Sequence, residues 1–300
     1  MNPSLQELES VCQKPRWREV GSWLARRVAR PAALYVTWFV VRVPLSANAV
    51  TAFTLVVGLT AAMLIGLGQR SLFLAGAAVL NFWYLLDHVD GQVARFHRRE
   101  SVTGVYFDFM MHHVVHAAVA FSLGYGLARQ SGELAWSLAG AALALGVTAL
   151  SLANDCRYKA FYSAEQKGGG RRAEGGGPEG FSDAFGQSFS AAATASRRPT
   201  VEARTPAHRA LRSAIRVGQK LCEMPNVIIA MTVLAGVVAL HPRLGFQIVQ
   251  GYLLLMSILA PVLAVARVAK QVWLCQPDTD FHSFTAEKAS GLTPRKPASE

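Results

Sequence analysis

Long uncharged apolar runs alternate with short polar connections along most of this chain. Six runs stand out, at about 49–68, 72–96, 105–127, 134–157, 225–241 and 244–269. Each is close to the ~20 residues that cross ~30 Å of hydrocarbon, so each predicts a transmembrane helix. The first follows PLSAN, where Ser46 or Asn48 would cap it. The fifth carries Pro225 in its first turn. Upstream, Trp17, Val20, Leu24 and Val28 recur at helical spacing, with Arg16, Arg18, Arg26, Arg27 and Arg30 between them. Pro31 then interrupts, and AALYVTWFVV is too short to span alone. This pattern predicts an N-terminal interfacial amphipathic helix lying on the membrane, with an extra short span as the alternative. The expected fold class is therefore an all-α integral membrane protein with six transmembrane helices behind that amphipathic helix.

Composition supports this reading. The chain has 300 residues, of which 16% are charged, against about 25% in a typical soluble domain. Mean hydropathy is +0.26. A net charge of +11 would suit nucleic acid or a membrane surface. The basic residues bracket the apolar runs and are not interleaved with aromatics, so the membrane reading is favoured and no nucleic-acid partner is expected. With a cytoplasmic N-terminus, the outer connections hold only Arg70, Arg129 and Arg243 of the 30 basic residues. Both termini are therefore expected in the cytoplasm. The first twenty residues are polar, with acids at Glu7 and Glu9, and do not read as a cleavable signal peptide. Cys12, Cys156, Cys222 and Cys275 show no paired spacing, lie on or near the cytoplasmic side, and are expected as reduced thiols.

The expected organisation is an interfacial region over 1–44, four spans over 45–163, a cytoplasmic segment over 164–223, two spans over 224–275 and a polar tail over 276–300. Within 164–206, GGGRRAEGGGPEG and SAAATASRRPT read as a mobile low-complexity linker. Arg209, Arg212, Arg216 and Lys220 then form one helical stripe, expected on a solvated or headgroup-facing helix.

The candidate chemistry lies in residues 87–116, DHVDGQVARFHRRESVTGVYFDFMMHHVVH. Acids inside spans are costly and usually functional. Asp87 and Asp90 share a face of the second span, and Asp108 and His112 share a face of the third, with His116 continuing the stripe. Converging carboxylates repel one another unless a cation neutralises them, and oxygen ligands suit Mg²⁺ or Mn²⁺. Gly91 would let a ligand or helix approach the backbone, and Ala94 is also small. Arg95 is placed to meet a phosphate with its planar fork. Together these residues suggest a nucleotide diphosphate.

They also match, spacing by spacing, the pattern D-x2-D-G-x2-A-R-x8-G-x3-D-x3-D. The matches are Asp87, Asp90, Gly91, Ala94, Arg95, Gly104 and Asp108. In this the chain resembles the CDP-alcohol phosphotransferases, over roughly 30–275 without the linker. PLSANAVT resembles that family's usual approach to its first span. The resemblance implies an enzyme that takes a CDP-linked alcohol, often CDP-diacylglycerol. An acceptor hydroxyl attacks the phosphorus attached to that alcohol, and CMP leaves. It implies Asp87, Asp90 and Asp108 as metal ligands and Gly91, Ala94, Arg95 and Gly104 as the CDP site. It also implies a homodimer.

The last aspartate of the pattern is His112 here. Three readings are open. His112 is a general base, with an ordinary pKa near ~6.5 suited to neutral pH. It is a metal ligand that favours softer divalent ions over Mg²⁺. Or the site is impaired. The active enzyme is expected, with His112 as both catalytic and metal-site candidate.

Among the other histidines, His113 is expected to pack or reach an interface. His116 would either orient His112 or bond another helix. His88 and His97 are expected to be structural or interfacial. A di-iron site would need more histidine clusters than the chain's 8 histidines supply. Arg157, closing the fourth span with Asp155 and Lys159, is a candidate for binding the acceptor or a lipid phosphate, with plain interfacial anchoring as its alternative.

The expected activity is transfer of a phosphatidyl group from CDP-diacylglycerol or another CDP-alcohol to a small polar alcohol. It is expected at the cytoplasmic face of a bacterial inner membrane, among membrane lipid. The alternatives are head-group transfer to diacylglycerol, and a metal-binding scaffold or ion-coupled transporter using the same acids.

Overall fold

The computed structural model describes residues 3–13, 16–169, 206–273 and 275. The expected 164–206 linker and the tail beyond 276 lie almost wholly outside the described residues. The described elements are helical, with no strand among them. They are α1 (Leu5–Cys12), α2 (Arg30–Val40), α3 (Ala47–Gly66), α4 (Arg70–Phe96), α5 (Val102–Ser131), α6 (Ala135–Gly169), α7 (Pro206–Leu221), α8 (Met224–Leu240) and α9 (Pro242–Trp273).

A helix stands at each of the six expected runs. Four of them, α3, α4, Ala135–Ala160 of α6, and α9, are long and apolar enough to cross a membrane. A fifth qualifies if Ser213–Leu221 and Met224–Leu240, bent by 67°, are taken as one span. These apolar helices are the mark of an integral membrane protein. α5 is 30 residues long but falls short on apolarity, because it carries Asp108, His112, His113 and His116. α8 alone has 17 residues.

Two boundaries differ from expectation. α6 continues to Gly169, past the expected start of the linker at 164. At the N-terminus, the expected helix through Trp17 and Val20 is a turn over 16–20, and Gly21 at φ +98° redirects the chain. Arg30 locks this turn by donating from Nη1 to the Trp17 carbonyl at 2.7 Å and the Val20 carbonyl at 2.8 Å. Pro31, in turn, does not end a helix. A π-helical turn over Ala25–Ala29 runs directly into α2, with the proline in its first turn. Proline lacks an N–H and crowds the preceding carbonyl, and the wider turn relieves both constraints.

α1 is a separate short helix. Ser4 caps it reciprocally with Glu7, and its Leu8 and Cys12 are fully buried beside Leu34, with Trp38, Val41 and Phe96 packed around them. α3 begins at the Ser46 cap, whose side chain accepts from the Ala49 amide at 3.1 Å.

The chain divides into two compact units, 1–148 with 217–261 and 149–216 with 262–300. In the first, α4 packs against α1, α2, α3 and α8, and α3 also packs against α5. The contact of α4 with α2 is fastened by a buried bond from Thr37 Oγ1 to Gln92 Oε1 at 2.7 Å. Its contact with α8 is fastened by Asn81 Nδ2 donating to Thr232 Oγ1 at 2.8 Å. Small residues allow the closest crossings, as in membrane helix packing generally. A Cβ on Gly124 of α5 would lie 2.6 Å from the Cα of Gly140 of α6. One on Gly58 would lie 2.6 Å from Val115 Cγ2 and 2.8 Å from Trp83 Nε1. In the second unit, Arg267 Nη1 donates to the Leu150 carbonyl at 3.2 Å. Among the described residues no disulfide is formed.

Candidate metal and nucleotide site

The site lies where the C-terminal turns of α4 meet the N-terminal turns of α5. The connection between them is short because both ends are capped. The His97 amide closes α4 on the Val93 carbonyl at 3.1 Å. Ser101 opens α5 by accepting from the Gly104 amide at 3.0 Å. This return brings Asp87 and Asp90 of α4 beside Asp108 and His112 of α5.

His112 Nε2 lies 3.0 Å from Asp87 Oδ1 and 3.4 Å from Asp108 Oδ1. Ligand atoms of Asp87, Asp108 and His112 all lie within 4.8 Å of one another. Two carboxylates and one imidazole so close together match the donor set of a divalent cation and carry the negative charge that one would neutralise. Asp87 is the more enclosed acid, its side chain 11% exposed against 38% for Asp108.

Asp90 does not join those three. It is buried, its Oδ2 accepting from Thr51 Oγ1 at 2.8 Å and its Oδ1 from the Gly91 amide. An ionised carboxylate has about four acceptor positions, so two remain open to a cation.

Three supporting contacts escape sequence reasoning. Thr51 comes from α3 and is one hydroxyl among several on that helix. Trp83 is fully buried and sets its ring edge-on to the His112 imidazole, centroids 5.8 Å apart. His88, expected to be structural, turns Nδ1 to the Tyr84 carbonyl at 2.9 Å and stands 3.7 Å from Asp87 Oδ2. Only the one-turn spacing from Tyr84 to His88 hinted at this last arrangement.

The expected nucleotide residues spread along the same end of α4. Arg95 donates from Nε to the Cys12 carbonyl, and its Nη1 stands 3.9 Å from Glu100 Oε1. A Cβ on Gly91 would touch that guanidinium at 3.4 Å. Ala94 lies between them in sequence, its carbonyl accepting from the Arg99 amide at 3.0 Å. Gly104 leaves room for Asn48 of α3, since a Cβ there would lie 3.3 Å from Asn48 Oδ1. Arg157 is buried on the part of α6 that belongs to the second unit.

His113 turns Nδ1 to the Phe109 carbonyl at 2.7 Å, in line with a packing role. His116 fits neither of its expected roles. Its Nε2 is buried without a hydrogen-bond partner, and it lines a small cavity with Val119, Leu123, Val147, Met231 and Tyr252.

No curated protein matches the chain. Residues 44–169 match the family model described as CDP-alcohol phosphatidyltransferase. The match runs through α3, α4, α5 and α6 and includes Asp87, Asp90, Gly91, Ala94, Arg95, Gly104, Asp108 and His112. The family's activity is transfer of a phosphatidyl group from a CDP-alcohol. The acid-and-histidine cluster between α4 and α5 thus sits within the segment that matches the CDP-alcohol phosphatidyltransferase family model.

Proposed function

We propose that the protein transfers a phosphatidyl group from CDP-diacylglycerol to the hydroxyl of a small polar alcohol, releasing CMP. We place the reaction at the cytoplasmic face of a bacterial inner membrane, in a homodimer of six-span chains. The carrying observation is the convergence of Asp87, Asp108 and His112 within 4.8 Å, inside the matched family segment.

Asp87, Asp108 and His112 would hold a divalent ion, Mg²⁺ or Mn²⁺, with Asp90 as the fourth member of the set. When bound, the ion neutralises charge developing on the phosphoryl oxygens. The protein's own groups do the rest. Thr51 holds Asp90 in place. Gly91, Ala94 and Gly104 keep the approach to α4 narrow but open, and Arg95 offers its fork to the diphosphate. His112 takes the acceptor's proton when it is not on the ion, and Asp87, 3.0 Å from its Nε2, steadies the resulting imidazolium. Arg157 is a candidate contact for the acceptor or a lipid phosphate.

The test is CMP release by the purified protein in lipid, supplied with CDP-diacylglycerol, pooled polar alcohols and either metal. Asp87→Asn, Asp90→Asn and His112→Ala are run alongside. Metal-dependent release abolished by the aspartate variants is the expected result. Retention of Mn²⁺ binding by His112→Ala, read from its paramagnetic resonance, would assign His112 to proton transfer rather than to the ion. Release only from a CDP-linked head group with diacylglycerol would reverse donor and acceptor. Silence with both donors would sink the enzyme reading in favour of a scaffold or transporter.

A further inference from the structure

We infer that the N-terminal helix α1 is a working part of the nucleotide site: the carbonyl at its C-terminal end sets the fork of Arg95 toward the diphosphate. This rests on the function proposed above.

A helix leaves its last carbonyls without intrahelical partners, and cations are favoured there. The last turn of α1 has no basic residue of its own. Arg95, more than eighty positions further along the chain, supplies the cation by donating from Nε to the Cys12 carbonyl. That bond consumes the Nε–H, and with it the side-on pair of donors. It leaves Nη1 and Nη2 as an end-on pair, the geometry that grips a phosphate with two parallel bonds. The pair lies over Gly91, at the motif's glycine. Glu100, 42% exposed and 3.9 Å from Nη1, is a weak surface partner that an incoming phosphate can displace.

α1 is also built to be held. An eight-residue helix is marginal alone. Its capping box and the complete burial of Leu8 and Cys12 against Trp38 and Phe96 compensate. Burial raises the Cys12 thiol to about 11, with Arg95 opposing, so a docked α1 keeps this cysteine unreactive at neutral pH.

The experiment uses the full chain in lipid nanodiscs, with Cys156, Cys222 and Cys275 changed to serine so that Cys12 alone reports docking. CDP with Mn²⁺ is the binding probe, and CDP-diacylglycerol is the turnover substrate. Leu8→Asp should expose Cys12 to maleimide, weaken CDP binding about tenfold and raise KM in step, with kcat little changed. Val11→Asp, the same charge on the exposed face of α1, should do none of this. Arg95→Gln should weaken CDP more, and Leu8→Asp combined with it should weaken CDP no further, because both act through one guanidinium. Leu8→Ala should show a smaller shift the same way and replaces the aspartate if that variant does not fold.

Additive losses in the double variant would overturn the inference, as would equal falls in kcat. Unchanged CDP affinity with Cys12 exposed would do the same. A Cys12 still protected in Leu8→Asp would remove the docking on which the inference stands. Wild-type protein that binds no CDP would overturn the proposed function itself, and this inference with it.

Discussion

At the scale of single residues, the histidine in place of a final aspartate makes this site different from the family pattern. Replacing one carboxylate by an imidazole removes a negative charge and offers a softer donor, which disfavours Mg²⁺ relative to Mn²⁺. His112→Asp should therefore lower the Mg²⁺ concentration for half-maximal CMP release and narrow the gap between the two metals. Titration of each metal checks this. Thr51 gives a second prediction. Thr51→Val removes the hydroxyl that donates to the buried Asp90 carboxylate. A hydrogen bond to a charged group contributes about 1.5–3 kcal/mol, so turnover should fall roughly tenfold or more with little change in CDP affinity. The shared faces of Asp87, Asp90 and Gly91 on α4, and of Asp108 and His112 on α5, are legible because spacing is rigid within each helix. Thr51 and Trp83 were not, because their partners lie on helices whose facing sides no local spacing announces.

At the scale of elements, helix positions were read well, since a membrane demands long apolar runs and leaves few alternatives. The Ser46 cap and the position of Pro225 emerged as expected. The segment that departs from its sequence pattern is 16–31, where the proline reads as a stop. A π-helical turn absorbed it, and the amphipathic spacing before it proved to be a turn held by Arg30. Sequence periodicity cannot foresee a carbonyl captured by a distant guanidinium. The crossing of α5 and α6 makes its own prediction. Gly140→Leu should lower thermal stability by about 1–3 kcal/mol or more, because a side chain there meets backbone rather than yielding side chains. Gly236→Ala, with nothing within 4 Å of the new methyl, should be close to neutral. Thermal unfolding in one detergent compares the two.

At the scale of the whole molecule, the prediction concerns sidedness. The proposed six-span arrangement, with both termini in the cytoplasm, would put the exposed Cys156 and Cys275 in the same compartment. Single-cysteine variants at these positions should react with a membrane-impermeant maleimide in inverted vesicles and stay unlabelled in intact spheroplasts. Labelling of either from outside would overturn the six-span arrangement. Following the protein in its membrane while it works needs a signal that survives without any label, and one is already present. The buried Trp83 stands edge-on to the His112 imidazole. Mn²⁺ arriving at His112 would dim that indole's emission, and diamagnetic Mg²⁺ would leave it brighter. The site thus carries its own lamp, whose brightness would distinguish the two metals in a native membrane before any substrate is added.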